Sequence, residues 1–127
     1  NALSRLEFLA RRDGQWTCPV FRDRFAELAM DLHDLSALFE VYMRRLETGA
    51  HIGADVSMLK IFQSELYQRI SEELMLVAGA DAGLILHGDR LDAAGAYLAA
   101  RPTTIFGGSA EVMRNMLARH VLDLPAS

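Results

Sequence analysis

The chain has 127 residues, with 13 Lys+Arg against 17 Asp+Glu and a formal net charge of −4. That length suits one folding unit, and an apolar share of 51% is enough for a core and argues against disorder. The mild acidity argues against nucleic acid as a partner, the lone Cys18 excludes an internal disulfide and fits a reducing, cytoplasmic setting, and no charge-free apolar run is long enough to span a membrane.

Leu (19), Ala (18) and Met (6) make up a third of the chain, while Val, Ile and Thr together reach only 15. The first group favours helices and the second favours strands, so the expected class is all-α. In chain order, Leu3, Leu6, Leu9 and Ala10 repeat at helical spacing until Arg12-Asp13-Gly14 breaks the run. Pro19 suits a helix start, where its missing N–H costs nothing. From there Phe21, Phe25, Leu28, Leu32, Leu35, Leu38, Phe39, Tyr42 and Leu46 form one apolar stripe, expected as core. Gly49 and Gly53 bracket a turn, and Asp55 is expected to cap the next helix. That helix carries Val56, Leu59, Phe62, Leu66, Ile70, Leu74 and Val77 and should end at Gly79.

Residues 81–95 are less regular, because Gly83, Gly88 and Gly95 weaken any long helix around Leu84-Ile85-Leu86. A short helix over 93–100 precedes Pro102, and Thr103-Thr104-Ile105-Phe106 reads as extended. Gly107-Gly108-Ser109 opens a last helix over 110–122, ahead of Pro125. Two long helices joined by a short loop lie antiparallel, so the expected architecture is a single up-down four-helix bundle over 1–127.

Little in the pattern carries chemistry on its own. The histidines at 33, 51, 87 and 120 have no metal-ligand spacing, and Cys18 has no CxxC partner. One segment stands apart: two glycines at 107 and 108 let backbone approach a ligand without an intervening Cβ, and Ser109 caps a helix whose free N–H groups suit anions or carbonyl oxygens. Glycines and a serine are equally at home in an ordinary loop-to-helix turn.

The wider stretch from Arg101-Pro102 through Ile105-Phe106-Gly107-Gly108-Ser109-Ala110-Glu111-Val112-Met113-Arg114 to Leu117-Ala118-Arg119 resembles the C-terminal signature of acyl-CoA dehydrogenases. Ser57-Met58-Leu59-Lys60 with Ser64-Glu65 is similar to that family's Ser-x-x-Lys helix, and Gly79 with Ala82-Gly83 falls at its glycine-rich turn. The resemblance implies an FAD flavoprotein, usually tetrameric, that oxidises the Cα–Cβ bond of an acyl-CoA thioester. It implies electron-transfer flavoprotein as acceptor and a homo- or hetero-oligomer built partly through this domain, with Met113, Met116 and the Leu84-Ile85-Leu86 patch as candidate surfaces. By the same resemblance Gly108, Ser109 and Glu111 contact FAD, and Phe106 and Gly107 wall the substrate pocket. The first residue is Asn1 and the first helix is short, so the expectation is the C-terminal part of a longer chain.

Departures from the pattern matter as much. Gly107 stands at one of the family's two positions for the catalytic glutamate; the other position aligns before Asn1, so no catalytic residue is assigned within these residues. Cys18-Pro19 replace a Phe-Gln pair and Leu76 replaces a second Gln, both flavin contacts in relatives. A family Arg falls on Arg11 or Arg12, the shortened loop leaving the register open. These losses keep a second reading in play, a catalytically silent structural subunit that binds no FAD, and a third, a stand-alone helical interaction module.

Overall fold

A computed structural model describes residues 2–83 and 92–125. Five α-helices follow one another: α1 (Ala2–Arg12), α2 (Pro19–Glu47), α3 (Ser57–Ala78), α4 (Ala93–Ala100) and α5 (Ala110–His120), with no strand among the described residues. The fold is all-α, as composition implies, and none of these helices is long and apolar enough to cross a membrane.

Local chemistry sets most boundaries. Beyond α1, Gly14 takes φ 72°, a conformation that penalises a Cβ. Pro19 occupies the first turn of α2, behind an extended Cys18. Arg44 and Arg45 sit in the last turn of α2, where cations complement the helix dipole. Gly79, at φ 55°, ends α3. The Asp92 side chain caps α4 by accepting from the Gly95 N–H at 2.6 Å.

Helix α3 is the hub, packing against α1, α2, α4 and α5. Its Leu66, Ile70 and Leu74 meet Leu6, Leu9, Phe21 and Leu28 in the core. Helix α4 offers Ala93, Ala96 and Ala100, all buried, and such small side chains let two helix backbones come close. Three ion pairs give the direction of α2 against α3: Arg24–Glu73, Asp31–Arg69 and, just ahead of α3, Arg45–Asp55. Numbers rise along one helix as they fall along the other, so the pair is antiparallel, as the short loop requires.

Four expectations change. Asp55 does not cap α3; its carboxylate accepts from Arg45 at 2.5 Å and from the Tyr42 hydroxyl at 3.2 Å, while residues 54–56 make a 3-10 turn leading into the helix. The guanidinium draws the side chain back across the loop, and its hydrogen bond holds the Asp55 carboxyl below the usual carboxylate range. Burial, then the Asp55 charge, raises the Tyr42 hydroxyl. Thr103-Thr104-Ile105-Phe106 is not extended: Arg101–Thr104 forms a 3-10 turn and Ile105 keeps helical angles. The Thr103 and Thr104 hydroxyls bond the carbonyls of Ala100 and Arg101 three residues back, a local alternative to a strand. Helix α5 ends at His120, two residues early, with Asp123 at φ 50° beyond it.

The fourth change concerns the α2 stripe. Phe21, Leu28 and Tyr42 are buried, but Phe39 is 54% and Leu46 52% exposed. The second half of α2 stays beside the start of α3, where Tyr42 is buried, but Phe39 borders a gap between them. An open apolar groove of about 700 Å³ runs between α1, α2 and α3, lined by Leu3, Leu35, Phe39, Leu59, Tyr67 and Ile70. On α5, Met113 is half-buried and Met116 exposed, and the Leu84-Ile85-Leu86 patch lies outside the described residues.

Candidate functional site

The glycine segment between α4 and α5 is built in three steps. Pro102 sits in the first turn of the 3-10 segment, and its carbonyl accepts from both the Ile105 and Phe106 N–H groups at 3.0 Å. Gly107 and Gly108 then reverse the chain at φ 70° and φ 104°. Ser109 returns to extended angles; its Oγ accepts from the Val112 N–H at 3.2 Å and its carbonyl from Met113 at 2.9 Å, so it caps α5 as its position suggests.

This geometry brings five sequence candidates onto one ridge: Phe106, Gly107, Gly108, Ser109 and Glu111. Phe106 is 69% exposed, next to Ile105 at 66%, so two large apolar side chains stand together in solvent at the loop. A Cβ added at Gly107 would meet nothing within 4 Å, whereas one at Gly108 would lie 2.8 Å from Met113 Cε. The loop is therefore open on the Gly107 side and closed by Met113 at Gly108. The Ser109 hydroxyl spends an acceptor lone pair on the cap and keeps its proton for another partner. Exposed backbone, a spare hydroxyl donor and a free aromatic face fit the edge of a flat, polar-rimmed cofactor.

The ridge rests on α3. Lys60 Nζ donates to the Gly108 carbonyl at 2.6 Å, and Glu65 pairs with Arg114 on α5. Gln68 Nε2 reaches the carbonyls of Ala100 and Arg101 at 3.2 and 3.3 Å and Thr104 Oγ1 at 3.4 Å. Arg101 lies 4.2 Å over the Tyr97 ring and pairs with Glu72 at 2.9 Å. The role of Gln68 is missed by motif reading, as is the partner of Lys60, yet a signal exists: Lys60, Ser64, Gln68 and Ser71 make a polar stripe at steps of four, four and three along one face of the helix. Such a stripe marks the face that meets backbone.

The remaining candidates lie elsewhere. Arg11 donates to Glu7 from Nε at 3.0 Å and from Nη2 at 2.8 Å, and stacks 4.2 Å over the Trp16 ring. Arg12 pairs with Asp13 at 2.7 Å, and that hydrogen bond lowers the Asp13 carboxyl. Both arginines are thus held by their own neighbours. Leu76 is 65% exposed, and Cys18 is half-buried ahead of α2.

The model of the family described as acyl-CoA dehydrogenase, C-terminal domain, matches residues 8–122. The chain is 31% identical over 123 residues to acyl-CoA dehydrogenase IpdE1 of Mycolicibacterium smegmatis, which covers 96% of this chain and 30% of that protein. It is 31% identical over 125 residues to acyl-CoA dehydrogenase IpdE1 of Mycobacterium tuberculosis, covering 97% of this chain and 31% of that protein. The chain therefore spans under a third of the length of these relatives. No solved structure gives a significant match.

Proposed function

The chain belongs to the acyl-CoA dehydrogenase family, in which it matches the C-terminal domain, and on that premise we propose that it serves as this domain in a longer, FAD-dependent enzyme that oxidises the Cα–Cβ bond of an acyl-CoA thioester. The observation that carries the reading is the ridge from Phe106 to the half-buried Ser109, exposed over its first three residues, capped onto α5 and pinned to α3. Bound FAD supplies the two-electron acceptor, and the residues of this chain supply its surroundings. Gly108 and Ser109 lie against the flavin edge, with the Ser109 hydroxyl donating. Glu111, in the first turn of α5, offers an exposed carboxylate next to them. Phe106 and Gly107 form a wall of the acyl pocket, Phe106 excluding water and Gly107 leaving room for the thioester. The α-proton is taken by a carboxylate outside these residues, since Gly107 has no side chain to take it.

The apolar groove and the exposed Phe39 and Leu46 support an oligomer in which a neighbouring subunit covers the second half of α2. The assembly works in the cytoplasm and passes electrons to an electron-transfer flavoprotein. A second reading has its own support: Gly107 in a base position, exposed Leu76 and Cys18-Pro19 in place of two glutamine contacts. In it the chain is the structural half of a heteromeric dehydrogenase and binds no flavin. Flavin content of the full-length protein, purified alone and with any co-encoded partner, decides between them. Stoichiometric FAD in the protein alone supports the enzyme; flavin appearing only with the partner supports the structural subunit; flavin in neither overturns both.

A further inference from the structure

Lys60, at one end of the polar stripe of α3, reaches the glycines themselves, whereas Gln68 reaches Ala100, Arg101 and Thr104. Two successive glycines at φ 70° and 104° leave the Gly108–Ser109 peptide free of the side-chain sterics that usually fix its direction. On the C-terminal side of that peptide the chain is secured by the Ser109 cap, and ahead of the glycines by the Pro102 carbonyl. The Gly108 carbonyl is held across the fold, by Lys60 Nζ at 2.6 Å from a side chain 48 residues away in sequence. A bond from an ammonium is roughly twice as strong as a neutral one. Helix α5 packs on α3 nearby, with the exposed Glu65–Arg114 pair between them, so Lys60 spans a set distance.

We propose that Lys60 is a positioning residue that sets the direction of the Gly108–Ser109 peptide. The peptide is trans and planar, so its carbonyl and N–H point opposite ways. With the carbonyl drawn onto α3, the Ser109 N–H turns outward, and it has no hydrogen-bond partner among the described residues. Lys60 thus presents a backbone donor, beside the Ser109 hydroxyl, to whatever lies on the ridge. This rests on the reading that FAD lies there, and it assigns to the Ser-x-x-Lys motif a task at the site.

The test uses Lys60→Met and Lys60→Arg. In the 127-residue chain, nuclear magnetic resonance follows the Gly108 carbonyl carbon and the Ser109 amide. Both signals should move in Lys60→Met and return toward the parent in Lys60→Arg, with the remaining α3 amides unchanged. Unmoved signals overturn the proposal. In the full-length protein, FAD is titrated into the flavin-free form. Lys60→Met should bind about tenfold more weakly, the loss of roughly one charged hydrogen bond, and Lys60→Arg should recover most of it. FAD affinity unchanged in Lys60→Met overturns the link to the ligand. If the parent itself takes no FAD, the flavin reading fails, and the resonance experiment still decides whether Lys60 sets the peptide.

Discussion

The two loop glycines should respond very differently to the same small substitution. Gly107 sits at φ 70°, the φ of the left-handed well, with open space where a Cβ would go. Gly107→Ala should therefore cost about 1 kcal/mol, the ordinary penalty of that well for an L-residue. Gly108 sits at φ 104°, outside the well, and its Cβ would press on Met113 Cε at 2.8 Å. Backbone strain of about 2 kcal/mol combines with about 1 kcal/mol to move the methionine off its rotamer. The restriction of the unfolded chain by alanine favours both variants equally and drops out of the comparison. The difference is then about 2 kcal/mol. An unfolding entropy of about 2.1 cal/mol/K per residue gives ~0.27 kcal/mol/K at this length, so Gly108→Ala should melt about 7 °C below Gly107→Ala. Differential scanning calorimetry reads this directly. Adding Met113→Ala to Gly108→Ala should recover the steric share and leave the backbone share. Equal melting temperatures for the two single variants would refute the loop geometry.

Other substitutions probe the same contacts. Ser109→Ala removes the cap of α5 and should cost about 1 kcal/mol of stability, measured by urea unfolding; FAD affinity of the full-length protein should fall separately by about 1 kcal/mol, the worth of one hydrogen bond. Leu66, 2% exposed at the centre of the core, should cost about 2–5 kcal/mol on truncation to alanine. The Asp55 carboxyl is held below its ordinary 3.8 by the Arg45 hydrogen bond, so its stabilising contribution is full above pH 3.8 and disappears as pH falls through the depressed folded value. Asp55→Asn should flatten that part of the acid-unfolding curve, and an unchanged curve would show the pair contributes nothing. The 127-residue chain alone should leave FAD fluorescence unquenched, since in the proposed function the ridge supplies only one edge of the flavin site.

Much of the fold is legible in the sequence because its signals are local. Pro19, Gly14, Gly79 and Ser109 each act through their own φ or side chain, and each marks the boundary its chemistry dictates. The failures come from competition that a one-dimensional pattern does not contain. Asp55 has the chemistry of a cap, but Arg45, ten residues away, outcompetes the helix N–H groups for it. Thr103 and Thr104 have strand propensity, yet their hydroxyls find carbonyls three residues back. Phe39 and Leu46 lie on the same periodic stripe as Phe21 and Leu28, and periodicity cannot say where neighbouring helices leave a groove open. At the ridge, the residues of the loop are visible as a motif. Lys60 and Gln68, which hold that loop, are separated from their partners by 48 and at least 32 residues, a proximity only the packed α3 creates.

The central claim is that the ridge from Phe106 to Ser109 is part of a working acyl-CoA oxidation site. Anaerobic titration of the flavin-loaded full-length protein with a panel of acyl-CoA thioesters, followed in the visible flavin band, tests it most directly. Bleaching by at least one thioester, weakened by Ser109→Ala, is the expected result. A fully loaded, correctly folded protein whose flavin no acyl-CoA reduces, in the parent or with its partner present, would contradict the account.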